Sequence, residues 1–104
     1  MVAQATPTTS PAAVERAVSV VISGTVQGVG YRDWTIAKAR SLRIRGWVEN
    51  SPDGTVHALF GGSDAAVTAM LAACRRGPSR ARVSAVVETP ADTASVPIGF
   101  KRRN

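Results

Sequence analysis

The chain has one cysteine, Cys74, and one histidine, His57, among its 104 residues. A single cysteine excludes an intramolecular disulfide framework, and with one histidine to help it leaves no cysteine-based zinc site. Aromatic side chains make up only 5% of the chain, and none falls in the pattern with which RNA-binding sheets stack bases. No apolar run approaches the ~20 residues of a membrane-spanning helix. Acids are scarce as well, 7 against 13 basic residues. The resulting charge of +6 points to an anionic partner without choosing among a phosphate ester, a nucleic acid and an acidic protein. The opening stretch MVAQATPTTSPAAV contains no Lys or Arg and no apolar segment of signal-peptide type. It reads as a flexible leader over residues 1–15, ahead of one domain over 16–104. A length of 104 residues suits a single core, and a mean hydropathy of +0.02 suits an ordinary globule. A cytoplasmic monomer is the simple expectation.

What the chain does contain is a regular succession of elements. Residues 17–23 set Val18, Val20 and Ile22 against Ser19, Val21 and Ser23, a strand with one strongly apolar face. Three glycines follow in GTVQGVG, too many for the interior of a strand or a helix. From Arg32 to Leu42, Thr35, Ala39 and Leu42 fall at helical spacing, flanked by Ile36. GWVEN, ending at Asn50, is a second strand, and Ser51-Pro52-Asp53-Gly54 suits a type I turn. A third strand over 55–60 turns Val56, Ala58 and Phe60 one way and Thr55, His57 and Leu59 the other.

Ser63 is a suitable N-cap for a second helix striped by Val67, Met70, Leu71 and Cys74, and Gly77-Pro78 ends it. A fourth strand over 82–89 places Val83, Ala85 and Val87 on one side, and a short apolar piece closes the chain at 98–100. The order β-α-β-β-α-β predicts an α+β, ferredoxin-like domain. Its antiparallel sheet has four main strands and a possible short fifth, with two helices on one face.

Chemistry concentrates in GTVQGVGYR, residues 24–32. A glycine-rich loop between strand and helix lets several backbone N–H groups converge on an anion. It is neither a Walker loop nor a dinucleotide fingerprint, because no Gly-Lys-Ser/Thr follows and Asp33 stands where a third glycine belongs. Arg32 in the first helical turn opposes the helix dipole, at a cost of a few tenths of a kcal/mol up to ~1. A phosphate held between loop amides and guanidinium would reverse that sign. A solvated arginine paired with Asp33 fits the spacing as well. Asn50, at the mouth of the turn, either caps that turn or faces a ligand.

These segments together, GTVQGVGYR, then GWVEN after a helix-length gap, then SPDGTV, resemble the acylphosphatase family. RGPSRARV and GFKRR extend the resemblance over most of 17–103. It implies hydrolysis of carboxyl–phosphate mixed anhydrides, with small-molecule acyl phosphates as substrates and inorganic phosphate as product and inhibitor. It implies neither metal nor cofactor and no covalent intermediate. By position, the loop Gln27, Gly28, Val29, Gly30 and Tyr31 with Arg32 would bind phosphate, and Asn50 would orient the attacking water.

The chain departs from the family pattern at several points. Tyr31 replaces a usual Phe, and Glu49 sets a negative charge beside an anion site. Arg43 stands where a glycine commonly ends the first helix, which predicts a non-glycine at positive φ. His57 replaces a frequent Glu or Gln, and Arg102 breaks an apolar ending. His57 on an alternating strand reads as a surface residue, Cys74 as an inert core thiol, Asp53 as a turn former and Trp47 as packing. The arginines at 75, 76, 80 and 82 read as a solvated face. The alternative class is a non-catalytic phosphate-binding or RNA-binding ferredoxin-like module.

Overall fold

Alternation along the first strand sets the core: Val18, Val20 and Ile22 are at most 3% exposed. The computed structural model describes residues 14–104, so the leader expected over 1–15 lies outside the described residues except for Val14 and Glu15. The Glu15 N–H donates to the Gly62 carbonyl at 2.9 Å, extending the sheet one residue ahead of its first strand. The elements are β1 (Arg16–Thr25), α1 (Tyr31–Ser41), β2 (Arg45–Asn50), β3 (Val56–Gly62), α2 (Asp64–Cys74), β4 (Arg82–Pro90) and β5 (Phe100–Arg102). A short 3-10 turn, Thr93–Ser95, precedes β5.

The strands lie in the order β4-β1-β3-β2-β5. β3 is inserted between β1 and β2, and β1 between β3 and β4, which is the split βαβ arrangement read from the element order. Val18, Val20, Ile22, Val48, Val56, Ala58 and Phe60 share one cluster with Tyr31 and Ala39 of α1 and with Val67, Met70, Leu71 and Cys74 of α2. Both helices therefore cover the same face. Burial of each large apolar side chain contributes ~1.5–3 kcal/mol against exposure, so this cluster dominates stability. Ser63 caps α2 as expected, its hydroxyl accepting from the Ala66 N–H at 3.1 Å.

Four details differ from the sequence reading. The short fifth strand is present, but it makes the sheet mixed, because β5 pairs with β2 in parallel. The last strand is also displaced: Gly99 adopts φ 78° and Ile98 remains 83% exposed, while Phe100 turns inward beside Phe60, ring centroids 6.0 Å apart. Along β4 the simple alternation fails. The β1–β4 register shifts between Ser23 and Gly24, which pair with Ala85 and Val83, so Ser84 is the extra residue of a bulge. Val83 and Val86 consequently share the core side and Val87 is 58% exposed. Finally, the side of β3 opposite the main core is itself covered at Leu59, which is 7% exposed. Ala17, Leu59 and Val96 form a second small cluster, with Trp47 packed against it.

Helix α1 ends as its sequence requires. Arg43 takes φ 59°, and the pair Arg43 N–H to Arg40 O (3.1 Å) and Ile44 N–H to Ala39 O (2.8 Å) forms a Schellman motif.

Candidate active site

After β1, Val26 is 1% exposed and fixes the start of the glycine loop in the core. Gln27 then ties this loop to the β2–β3 turn: its Nε2 donates to Ser51 O at 2.8 Å and to Thr55 O at 2.9 Å. That turn is closed by the Gly54 N–H bonding to Ser51 O at 3.1 Å. Asp53 braces it by accepting from the Thr55 hydroxyl (2.6 Å) and the Thr55 N–H (3.0 Å). Those two bonds hold the Asp53 carboxyl below its ordinary pKa. Asp53 is a turn former here.

Gly28 and Gly30 adopt φ 75° and 79°. A Cβ at either position would meet nothing within 4 Å, so backbone conformation and not space demands glycine. Gly30 is also the N-cap of α1, and no side chain caps the helix there. The leading N–H groups of α1 are left for a ligand. Tyr31 turns inward, 2% exposed, and its hydroxyl donates to Cys74 O at 2.7 Å. Burial, followed by the neighbouring Cys74, pushes the phenol far above its usual pKa. It serves as a strut between the start of α1 and the end of α2.

Arg32 is half-buried beside the loop, and its Nη1 donates to the main-chain O of Asn104 and, at 3.2 Å, to Asn104 Oδ1. Asn50 ends β2, and the Asn104 carboxamide pairs with its backbone in both directions, at 3.0 and 2.9 Å. The Asn50 side-chain oxygen, Oδ1, is buried and has no partner among the described residues. An orphaned buried acceptor is costly unless a ligand or water completes it.

One small cavity of about 70 Å³ gathers these groups, lined by Val26, Gly28, Gly30, Tyr31, Arg32, Asp33, Asn50 and Arg102. The structure thus brings Gly28, Gly30, Tyr31, Arg32 and Asn50 to a common space. Gln27 and Val29 are not among its lining residues: the Gln27 amide is spent on the turn, and Val29 packs against the core. Sequence reasoning did not place Asp33, Arg102 or Asn104 here. The charge of Arg102 in an expected apolar ending was the one signal available. A larger hollow of about 630 Å³ lies at the other end of α1, lined by residues that include Arg40, Arg43 and Phe100. Size does not decide between them, because only the small cavity joins free helix amides, a guanidinium and an unpaired acceptor.

The neighbouring charges are mutually engaged. Glu49 pairs with Arg103 at 3.1 Å, and Arg103 lies over the Trp47 ring at 4.0 Å. Arg102 pairs with Asp33 at 3.2 Å. His57 sits on β3 opposite Glu49 and Val21, away from the cavity. Cys74 is fully buried, and burial pushes its thiol up to about 11, which keeps it protonated at neutral pH. Among the described residues no three His, Cys, Asp or Glu come together as a metal site, and no helix is long and apolar enough to cross a membrane.

Fold and cavity together define a ferredoxin-like α+β domain with a small cavity at a strand-to-helix loop, where no side chain caps the helix start. The acylphosphatase family model matches residues 18–101, and the chain belongs to the acylphosphatase family. An acylphosphatase of Rhodospirillum rubrum is 54% identical over 84 residues, 81% of this chain and 91% of that protein. One from Acidiphilium cryptum is 50% identical over the same shares. Among solved structures, an acylphosphatase from Coxiella burnetii matches with a TM-score of 0.79 at 30% identity, covering 86% of this chain and 94% of that one. The Bacillus subtilis acylphosphatase gives a TM-score of 0.81 at 26% identity, covering 85% of this chain and 98% of its own.

Proposed function

We propose that this acylphosphatase hydrolyses carboxyl–phosphate mixed anhydrides by direct attack of one water molecule, with Arg32 as phosphate anchor and Asn50 as water holder. The observation that carries the reading is the orphaned Asn50 Oδ1, a buried acceptor on a residue that lines the same cavity as Arg32 and the uncapped start of α1. Donors for an anion and an acceptor for water thus line the same space.

The amides of the loop from Gln27 to Tyr31 and the Arg32 guanidinium bind the phosphoryl oxygens. Phosphoryl transfer asks a protein mainly for positioning and for stabilisation of charge on those oxygens. Preorganised donors meet that need much as an oxyanion hole does. Asn50 Oδ1 accepts a hydrogen bond from the attacking water and aims its oxygen at phosphorus. The new P–O bond forms as the bond to the acyl oxygen breaks, and the electron pair leaves with the carboxylate. A proton of the water passes to a phosphate oxygen. Because a carboxylate is a good leaving group, no general acid is needed at the leaving oxygen, and neither His57 nor Cys74 takes part.

The domain over 16–104 is proposed to work as a cytoplasmic monomer with no cofactor, and inorganic phosphate, its product, as a competitive inhibitor. A single cysteine, buried as a thiol, supports that setting. The deciding experiment is hydrolysis of benzoyl phosphate with no added metal. Saturable release of benzoate is expected. Binding of phosphate or RNA without turnover would instead establish the non-catalytic module.

A further inference from the structure

Two guanidinium groups converge on one oxygen at the cavity. Arg32 Nη1 and Arg102 Nε both donate to the main-chain O of Asn104, the latter at 3.2 Å. Both arginines line the cavity that holds Asn50 and the glycine loop. From this convergence we infer that Arg102 is a second guanidinium of the anion site. Once the Asn104 oxygen is displaced, it contacts the same phosphoryl group as Arg32. The inference rests on the reading of this cavity as the phosphoryl site.

The chemistry of the neighbourhood supports it. A phosphoryl group brings up to two negative charges, and Asp33, exposed in the first turn of α1, adds a third at the rim. Arg32 alone would leave that balance negative. Arg102 brings that excess down to a single charge and is held at the site by a pair of the readily exchanged kind: its bond to Asp33 is 3.2 Å long, with the side chains 41% and 76% exposed. Exposed pairs of this sort contribute little net stability, because water screens them. Arg102 can therefore give up Asp33 for a phosphate oxygen at small cost. Its position is set by main chain: β5 runs parallel to β2 with Arg102 beside Val48, two residues from Asn50. The guanidinium fork also suits the planar, two-toothed recognition of phosphate.

The test exploits the opposite signs expected for the two members of one ion pair. Competitive inhibition by inorganic phosphate is measured with benzoyl phosphate as substrate. Arg102→Met should weaken inhibition about tenfold and lower kcat/KM by a similar factor, and Arg102→Lys should recover part of both. Asp33→Asn should do the reverse and tighten phosphate inhibition several-fold, since it frees Arg102 and removes a repelling charge. Lys101→Met deletes the same charge one position away, outside the cavity, and should change inhibition less than twofold. A purely structural ion pair predicts losses of equal sign for Arg102→Met and Asp33→Asn, and that result overturns the inference. So does Arg102→Met within twofold of wild type while Arg32→Ala is inactive, which leaves the phosphoryl-site reading standing. A wild-type protein that neither turns over benzoyl phosphate nor binds phosphate removes both.

Discussion

Asn104 pairs with Asn50 as if it continued the sheet: its Nδ2 donates to Asn50 O at 2.9 Å and its Oδ1 accepts from the Asn50 N–H at 3.0 Å. The end of β2 is thereby pinned through its main chain, while the buried side-chain oxygen of Asn50, a residue lining the cavity, has no partner among the described residues. Oδ1 of Asn104 also accepts from Arg32 at 3.2 Å. One carboxamide thus links the proposed water holder to the proposed phosphate anchor.

Asn104→Ala should therefore affect turnover more than stability. Water replaces exposed hydrogen bonds of this kind, so their combined loss should cost about 0.5 kcal/mol, the low end of the range for one bond, and Tm should fall by only a few degrees. A several-fold drop in kcat is expected. Unchanged kcat in a variant of normal stability would show that the link does not position the site.

Asn50→Ala separates water from phosphate. Turnover should collapse while competitive inhibition by inorganic phosphate stays near wild type, because the side chain is proposed to serve the water. A parallel large loss of phosphate affinity would assign Asn50 to the cradle.

Arg43→Gly should stabilise the domain. The residue sits at φ 59° in the cap of α1, where a side chain costs ~1–2 kcal/mol in the left-handed region. Glycine removes that strain but adds ~0.4–1 kcal/mol of unfolded-state entropy. A net gain of about 0.5 kcal/mol is expected, or roughly 2–4 °C in Tm for a domain of this size. A lower Tm would show that the arginine side chain contributes more than its backbone costs.

Alkaline pH should expose the buried thiol. Burial raises the Cys74 pKa from 9.0 to about 11 in the folded protein. A folded pKa above the unfolded one gives stability that is complete below pH 9 and lost as pH rises through 11. Two units correspond to on the order of 2–3 kcal/mol. Burial also raises the Tyr31 pKa, so its contribution is lost at still higher pH. Tm measured from pH 8 to 11 should decline less steeply in Cys74→Ala than in wild type. Identical slopes would remove Cys74 from the account. Iodoacetamide at pH 7.5 should leave the native protein unmodified and active.

The glycine loop, α2 and the β2–β3 hairpin were legible because strictly local rules govern them. Glycines at positive φ, the Ser63 cap, the stripe from Val67 to Cys74 and the Pro52–Gly54 turn each carry their own sequence signal. What escaped was non-local. The bulge at Ser84 moves Val87 to the surface, but the shift is set by the pairing of β4 with β1, which alternation within 82–89 cannot register. Alternation set Leu59 on the side opposite the main core, and what buries it there is a cluster that includes Val96, far along the chain. The parallel approach of β5 to β2 likewise brings Arg102 and Asn104 to the cavity across more than fifty residues. At the site itself, Arg32 and Asn50 stood out through their motifs, whereas their partners depended on that crossing. Glu49, a negative charge beside an anion site in the sequence, is matched by Arg103 from the same segment.

The central claim is that Arg32 anchors the phosphoryl group of the substrate. It is tested most directly by Arg32→Ala, read in two ways on one preparation: benzoyl-phosphate turnover, and the rise in Tm on adding phosphate over chloride at matched ionic strength. A ligand that binds only the native state stabilises it by ~2.7 kcal/mol at a hundredfold excess over Kd. Wild type should therefore gain roughly 10 °C. The arginine's only hydrogen-bond partner among the described residues is Asn104, so the variant should fold. It should lose turnover by at least ~100-fold, the ~3 kcal/mol scale of a preorganised charge contact, together with most of the phosphate-specific rise in Tm. A folded variant that keeps half the wild-type activity, or responds to phosphate as strongly as wild type, would contradict the account.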